Sequence, residues 1–150
     1  PLDLMQQVID LLAQNPENTI LLFGGGKKEI EVLEGFAEHK ENVLNMAGKI
    51  KFQQELKLMS HLDLMLSMDA HLAAMLGVKV ITLWGATHPF AGFLPFNQSM
   101  ENALVADRTQ FPKLPTSVYG NKIVEGYENA MRTITPDKVV DKIEKTLLKS

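Results

Sequence analysis

The 150-residue sequence contains no cysteine, and its net charge of −3 shows no excess of basic residues. Without cysteine, a disulfide scaffold, a thiolate metal site and a cysteine nucleophile are all excluded. A slightly acidic chain lacks the basic surface that nucleic-acid binding requires. The sequence has no run of about 18 apolar residues, so no segment is predicted to span a membrane. With 45% hydrophobic and 22% charged residues, the composition is that of a globular domain that can bury a sizeable core.

The chain begins at Pro1, without an initiator methionine, and continues directly into a helical pattern. We expect the sequence to be a piece of a longer protein. A cytoplasmic location is the default expectation for a chain without cysteine.

The apolar residues follow an alternation of helical and strand-like segments. The strand-like runs are apolar throughout, which is typical of parallel strands covered by helices on both faces. The chain is therefore predicted to form an α/β fold with a Rossmann-like parallel sheet and helices on both faces. The predicted helices lie around residues 4–12, 30–36, 52–59, 70–76 and 135–147, and the predicted strands at Thr19–Phe23, Val43–Met46, Leu64–Met68, Val78–Leu83 and, as a further candidate, Ala103–Ala106.

Two helix ends and two irregular segments stand out. The last helix has Thr135 as its N-cap and Pro136 in its first turn, and Gly77 is a suitable C-terminal cap for the helix before it. Residues 85–102 and 108–130 show no periodicity. Irregular segments of this length in a compact domain are more often functional than not.

Residues that can contact a ligand follow each predicted strand. In an open parallel sheet, ligands bind beyond the carboxyl ends of the strands. Glycines, lysines, hydroxyl groups and two histidines occur at these positions, and such a rim suits an anionic, sugar-bearing ligand. The four sets are Gly24-Gly25-Gly26-Lys27-Lys28-Glu29, Ala47-Gly48-Lys49, Asp69-Ala70-His71 and Trp84-Gly85-Ala86-Thr87-His88.

The glycine run after the first strand allows a phosphate or ribose to approach the backbone, and Lys27 supplies positive charge. The run does not match the dinucleotide fingerprint, which needs glycine at Glu29. It does not match a P-loop either, which needs glycine at Leu21 and serine or threonine at Lys28. A plain strand-to-helix turn is an equally good interpretation of this segment.

The other sets also have two interpretations each. The helix that starts at Asp69-Ala70-His71 can hold a pyrophosphate on its free N–H groups. Asp69 alone is more typical of an N-cap, and His71 is equally compatible with a half-buried structural histidine. Gly85 and Thr87 offer N–H and hydroxyl donors, or form a simple turn. No two histidines have metal-ligand spacing, so a protein-bound metal is not expected. No cofactor is expected either.

Taken together, four motifs resemble the C-terminal domain of family 9 glycosyltransferases, which include the lipopolysaccharide heptosyltransferases. The resemblance covers residues 20–107 and extends to the final helix. The motifs are Leu44-Asn45-Met46-Ala47-Gly48-Lys49, Asp63-Leu64-Met65-Leu66-Ser67-Met68-Asp69, His71-Leu72-Ala73-Ala74-Met75-Leu76-Gly77 and Leu83-Trp84-Gly85-Ala86-Thr87-His88-Pro89.

The resemblance implies that residues 1–150 are the C-terminal, nucleotide-sugar-binding half of a two-domain GT-B glycosyltransferase. Asp69 and the following helix would contact the sugar and pyrophosphate of ADP-heptose or a related nucleotide sugar. Gly24 to Glu29 would lie near the nucleoside, and Thr87 near the phosphates. Heptose would be transferred with inversion to the lipid A–core acceptor of lipopolysaccharide. The catalytic carboxylate of such enzymes belongs to the N-terminal domain, so this chain alone is expected to hold no catalytic residue and to be inactive.

The resemblance also implies a cytoplasmic protein, peripheral at the inner membrane. The sequence departs from the family pattern in two places: Asp69 is followed directly by Ala70-His71 without a short insertion, and the usual first strand, expected before Pro1, is absent. Two other interpretations stay open. One is another GT-B enzyme that uses a UDP-sugar, and the other is a non-catalytic Rossmann-like binding module.

Overall fold

Short parallel strands alternate with helices along the chain. The computed structural model describes residues 1–68, 71–122 and 124–149. The predicted elements are confirmed within these residues, and three 3-10 helices that were not predicted lie in the irregular segments. The strands are β1 (Ile20–Leu22), β2 (Val43–Asn45), β3 (Met65–Ser67), β4 (Val80–Trp84) and β5 (Ala103–Val105). The helices are α1 (Leu2–Ala13), α2 (Lys27–Ala37), α3 (Phe52–Met59), α4 (His71–Met75) and α5 (Pro136–Leu147), and the 3-10 helices are Pro89–Ala91, Met100–Asn102 and Ala130–Thr133.

The strands form two parallel sheets rather than a single continuous one. β1 pairs with β2, with Leu21 opposite Leu44. The second sheet has the order β3-β4-β5, with Leu66 opposite Ile81 and Leu83 opposite Leu104. Among the described residues, no strand pairing joins β1 to β3. Parallel pairing is thus as predicted, whereas the division of the sheet is a feature that local sequence patterns do not reveal.

Helix α1 connects the two sheets through the hydrophobic core. Val8 of α1 packs with Ile81 and Leu83 of β4 in one apolar cluster. Ile9, its neighbour in α1, packs with Leu22 of β1 in another. Helix α1 therefore shares apolar clusters with one strand of each sheet. At the far end of the chain, the Arg132 guanidinium donates two hydrogen bonds of 2.8 and 3.0 Å to the Asp3 carboxylate at the start of α1.

Strand β4 lies at the centre of its sheet, and all five of its residues are buried. Ile81, which is fully buried, shares a cluster with α1 and α5. Val80 shares a cluster with Ala73 and Ala74 of α4. Because successive side chains of a strand point to opposite faces, helices cover both faces of β4. This explains why its sequence is apolar throughout, and burying each large aliphatic side chain here stabilises the fold by about 1.5–3 kcal/mol.

The predicted helix ends are also observed. The Thr135 hydroxyl accepts a hydrogen bond of 3.5 Å from the Lys138 N–H, with Pro136 as the first residue of α5. Gly77 follows α4 with a positive φ of 81°. Helix α4 begins at His71 in the structure, whereas the predicted start, Ala70, lies outside the described residues. None of the helices in the described part of the chain has the length and apolar character needed to cross a membrane.

Candidate functional site

The glycine loop leads from the carboxyl end of β1 into α2. The Gly25 N–H donates a hydrogen bond of 2.8 Å to the Glu29 carboxylate, which closes the loop onto the first turn of α2. Glu29 therefore has a structural contact within the loop. Lys27 and Lys28 are exposed at the start of α2, and neither lysine has an ion-pair partner among the described residues. Positive charge is thus available beside backbone that a ligand can approach closely.

The carboxyl end of β2 carries a polar network that was not predicted from the sequence. The buried Asn45 side chain donates a hydrogen bond of 2.7 Å to the Glu34 carboxylate and accepts one of 3.0 Å from the Ala47 N–H. The Lys49 ammonium lies 3.4 Å from the same Glu34 oxygen. The Asn45 hydrogen bond, followed by the hydrogen bond and charge of Lys49, lowers the pKa of Glu34 below its ordinary value of 4.5. Lys49, a predicted ligand contact, is therefore held toward α2.

Gly48 brings this turn against α2. Its φ is +69°, and a Cβ atom at this position would lie 2.8 Å from the Cδ1 atom of Ile30. The left-handed conformation and the close approach both favour glycine. The turn at Gly48 and Lys49 and the loop Gly24–Glu29 thus lie against the same helix, so the structure brings two of the four predicted sets together around α2.

The turn after β4 is covered by residues from much later in the chain. The Thr87 hydroxyl donates a hydrogen bond of 2.6 Å to the Val118 carbonyl, and the Ala86 carbonyl accepts one of 2.9 Å from the Thr116 N–H. At Gly85, a Cβ atom would lie 2.5 Å from the Met131 Sδ atom, so a larger residue would force this contact apart. The predicted donor hydroxyl of Thr87 is therefore used within the chain, although its oxygen can still accept a hydrogen bond.

A cavity of about 260 Å³ lies at the carboxyl end of β4, between this turn and the segment 114–131. The segment contributes two tyrosines, a glutamate and a methionine that were not predicted as site residues. The one sequence signal for them was the length of the irregular segment. The cavity is lined from the sheet edge by Met68, Trp84, Gly85 and Thr87, and from the segment by Tyr119, Tyr127, Glu128 and Met131, among others.

The set Asp69-Ala70-His71 is only partly described. Asp69 and Ala70 lie outside the described residues, and His71 is the exposed first residue of α4.

His88 lies next to Thr87, and its Nδ1 atom accepts a hydrogen bond of 3.2 Å from the Phe90 N–H. Burial, and then the charge of Arg108, lower the pKa of His88 below its ordinary value of 6.5. Among the residues that the structure describes, no group of three or more His, Asp or Glu side chains is placed to hold a metal ion.

Two comparisons with known proteins bear on the family and the fold. The model of glycosyltransferase family 9 (heptosyltransferase) matches residues 4–122. The solved structure of E. coli heptosyltransferase WaaC with ADP superposes with a TM-score of 0.71 at 23% identity, covering 97% of this chain and 39% of that chain. No curated protein matches by sequence.

The structural likeness confirms the predicted fold, which is a Rossmann-like arrangement of parallel strands flanked by helices, as in part of a GT-B heptosyltransferase. The chain spans well under half the length of that enzyme. Since the family model matches well over half of its residues, the chain belongs to glycosyltransferase family 9 (heptosyltransferase).

Proposed function

We propose that this chain binds the nucleotide-sugar donor of a glycosyltransferase, and that the donor is ADP-heptose or a closely related ADP-sugar. Family membership supplies the class of reaction. The solved structure with the same fold was determined with ADP, which supports an adenine nucleotide here. The donor-side assignment depends on Lys27 and Lys28, which lie beside the glycine loop at the carboxyl end of β1. Neither lysine has an ion-pair partner in the part of the chain that the structure describes.

The proposed contacts follow from the charges on the donor. A nucleoside diphosphate carries negative oxygens that suit lysine ammonium groups and the N–H groups of a helix start. Gly24, Gly25 and Gly26 allow the nucleoside close to the backbone, Lys27 carries the charge, and Glu29 holds the loop. The turn at Gly48 and Lys49 lies against the same helix. Further contacts to the phosphates and sugar are assigned to Asp69, Ala70, His71, Gly85 and Thr87.

In the proposed reaction, an acceptor hydroxyl oxygen attacks the anomeric carbon of the donor sugar. The bond from that carbon to the diphosphate oxygen breaks, and the nucleoside diphosphate leaves with the electron pair. Lysines that neutralise the departing diphosphate stabilise the charge that develops in the transition state. The base that removes the acceptor proton is assigned to an N-terminal domain that also binds the lipid A–core acceptor, so the role of this chain is to hold and orient the donor.

We also propose that the chain is the C-terminal half of a two-domain enzyme, and the division of the sheet supports this. The Ile20 N–H and the Leu22 carbonyl bond toward β2, so the peptide groups of Leu21 point to the opposite side of β1. The Met65 N–H bonds toward β4, so the peptide groups of Leu66 point to the opposite side of β3. One further parallel strand in this division would complete the order 3-2-1-4-5-6 of doubly wound dinucleotide-binding folds.

The donor assignment is tested by calorimetric titration of the chain with ADP and UDP in parallel. We expect ADP to bind more tightly than UDP. Replacing both Lys27 and Lys28 by Ala should weaken ADP binding about tenfold or more, since each charge-assisted hydrogen bond contributes about 1.5–3 kcal/mol. Lys57→Ala, an exposed lysine near the end of α3, is the matched control and should leave ADP binding unchanged. Tighter UDP binding would favour a different GT-B enzyme, and absence of binding to either nucleotide would contradict the donor assignment.

The domain assignment is tested by amide hydrogen exchange. In this chain, the N–H groups of Leu21 and Leu66 should exchange faster than those of Ile20 and Met65, which bond within the sheets. In the longer protein, the N–H groups of Leu21 and Leu66 should become protected from exchange. If the N–H groups of Leu21 and Leu66 exchange at the same rates in the chain and in the longer protein, that result would argue against a strand between the two sheets.

A further inference from the structure

The segment that follows β5 is a built structural unit with its own small core. Ala106, Leu114 and Ala130 are buried together, with Tyr127 packed against them. The rings of Phe111 and Tyr127 meet edge to face with centroids 5.1 Å apart. The Tyr127 hydroxyl also accepts a hydrogen bond of 3.1 Å from the Lys113 N–H. The segment therefore holds Tyr127 and its neighbours in defined positions.

The same segment is fastened to the rim of the sheet. Three hydrogen bonds join it to the turn after β4: the Thr87 hydroxyl to the Val118 carbonyl, and the N–H groups of Thr116 and Ser117 to the Ala86 carbonyl. The segment thus covers the carboxyl end of β4 and closes the cavity of about 260 Å³ described above. Met68, which directly precedes Asp69, lines this cavity. Gly85 and Thr87, which are assigned above to the phosphates and sugar of the donor, line it as well, so the cavity adjoins part of the proposed donor site.

The size of the cavity selects one part of a donor. Sites that hold a whole small-molecule ligand have volumes of about 300–1,000 Å³. A cavity of about 260 Å³ lies just below that range and suits a single ring rather than a complete nucleotide sugar. Because Gly85 and Thr87 line the cavity, the group attached to a diphosphate that they hold would lie within reach of it.

The chemistry of the lining favours a sugar over a phosphate. Glu128 is exposed, and one of its carboxylate oxygens accepts a hydrogen bond of 3.2 Å from the Gly126 N–H. An ionised carboxylate only accepts hydrogen bonds, so it attracts hydroxyl groups and repels phosphate oxygens. The Tyr119 ring is 77% exposed and packs at 5.7 Å from the Phe93 ring. An aromatic face of this kind offers apolar area and a hydroxyl at its edge, which suits the C–H and O–H groups of a sugar ring.

We propose that this cavity binds the sugar ring of the nucleotide sugar. Glu128 accepts hydrogen bonds from ring hydroxyls, and Tyr119 and Tyr127 pack against the ring. The inference rests on the proposed donor-binding function and adds to it sugar contacts from Tyr119, Tyr127 and Glu128, which the segment after β5 supplies. A sugar of the acceptor has the same chemistry, so the experiment separates the two sources.

The test measures the ratio of the dissociation constants for ADP and ADP-heptose, using calorimetry and the fluorescence of Trp84, which is the one tryptophan in the sequence and lines the cavity. Glu128→Gln should weaken ADP-heptose binding about tenfold, in line with the loss of a charge-assisted hydrogen bond, and leave ADP binding unchanged. Tyr119→Ala should act in the same direction. Glu125→Gln, an exposed glutamate of the same segment that is not a cavity residue, is the matched control and should leave both affinities unchanged.

The outcomes distinguish this inference from the function on which it rests. If the wild-type chain binds neither ADP nor ADP-heptose, both are overturned. If it binds them and Glu128→Gln leaves the ratio unchanged, or weakens both ligands equally, only the sugar subsite is overturned. If the variant weakens binding of a lipid A–core oligosaccharide and not of ADP-heptose, the cavity belongs to the acceptor and the donor-sugar assignment is wrong. Circular dichroism of each variant confirms that the compared chains are folded.

Discussion

Replacing Gly48 by Ala tests whether the turn after β2 is held against α2 by close contact. At this position φ is +69°, and the added Cβ atom would lie 2.8 Å from the Ile30 Cδ1 atom. Two costs therefore add together. The left-handed backbone costs about 1–2 kcal/mol for a residue with a Cβ atom. Displacing the end of the Ile30 side chain from its rotamer costs about 0.5–1.5 kcal/mol.

We expect Gly48→Ala to lower the free energy of unfolding by the sum, about 1.5–3.5 kcal/mol. Gly77→Ala separates the two costs, because Gly77 has a similar φ of +81° but no atom within 4 Å of the added Cβ. Gly77→Ala should lower the free energy of unfolding only by the cost of the left-handed backbone, about 1–2 kcal/mol.

The assay is urea denaturation at equilibrium, followed by far-ultraviolet circular dichroism. It is applied to the wild type, both alanine variants, Ile30→Val and the double variant of Gly48→Ala with Ile30→Val. Ile30→Val removes the Cδ1 atom, so it should recover part of the loss in the Gly48→Ala background, and the double-mutant cycle measures that coupling. Equal losses for the two alanine variants, together with zero coupling to Ile30, would refute the contact and leave only backbone strain.

Two further predictions concern polar groups near the site. Thr82→Val should lower the free energy of unfolding by about 1–3 kcal/mol. The buried Trp84 indole N–H donates a hydrogen bond of 2.6 Å to the Thr82 hydroxyl and would lose its acceptor. Urea denaturation measures this loss, and Thr82→Ser, which keeps the hydroxyl, should recover most of it. Glu34 has a lowered pKa in the folded chain, so its contribution to stability is complete above the ordinary value of 4.5 and is lost as the pH falls through the lower folded value. Unfolding measured as a function of pH should therefore show a shallower acid-side loss of stability for Glu34→Gln than for wild type. Glu31→Gln, at an exposed position of the same helix, is the control and should keep the wild-type slope. A Glu34→Gln profile that follows the wild type would contradict the Asn45 and Lys49 contacts as the cause.

The fold class could be predicted because its signals are local. The apolar run Val78–Leu83 and the cap at Thr135 each depend on residues that are neighbours in sequence, and both are observed in the structure. The rim followed from the same local patterns, since the carboxyl ends of parallel strands are the ligand-binding edge of such a sheet. Family resemblance then narrowed the ligand class, which no spacing of residues did alone.

The polar details of the site could not be predicted, because they depend on contacts between distant residues. Glu34 and Lys49 are on different elements, and only the packing of the Gly48 turn against α2 brings them to 3.4 Å. Thr87 and Val118 are 31 positions apart, so the sequence around Thr87 alone does not indicate that its hydroxyl is already bonded.

The sequence by itself determined which segments become strands and helices, that the strands are parallel, and which candidate ligand-contacting residues follow them. Only the tertiary structure decided that the sheet divides between β1 and β3, and that the segment after β5 closes a cavity over β4. The physical reason is the range of the interactions. Periodicity and caps act over a few residues, whereas strand neighbours, the ion pair of Arg132 with Asp3 across 129 positions and the walls of a cavity exist only once the chain has packed.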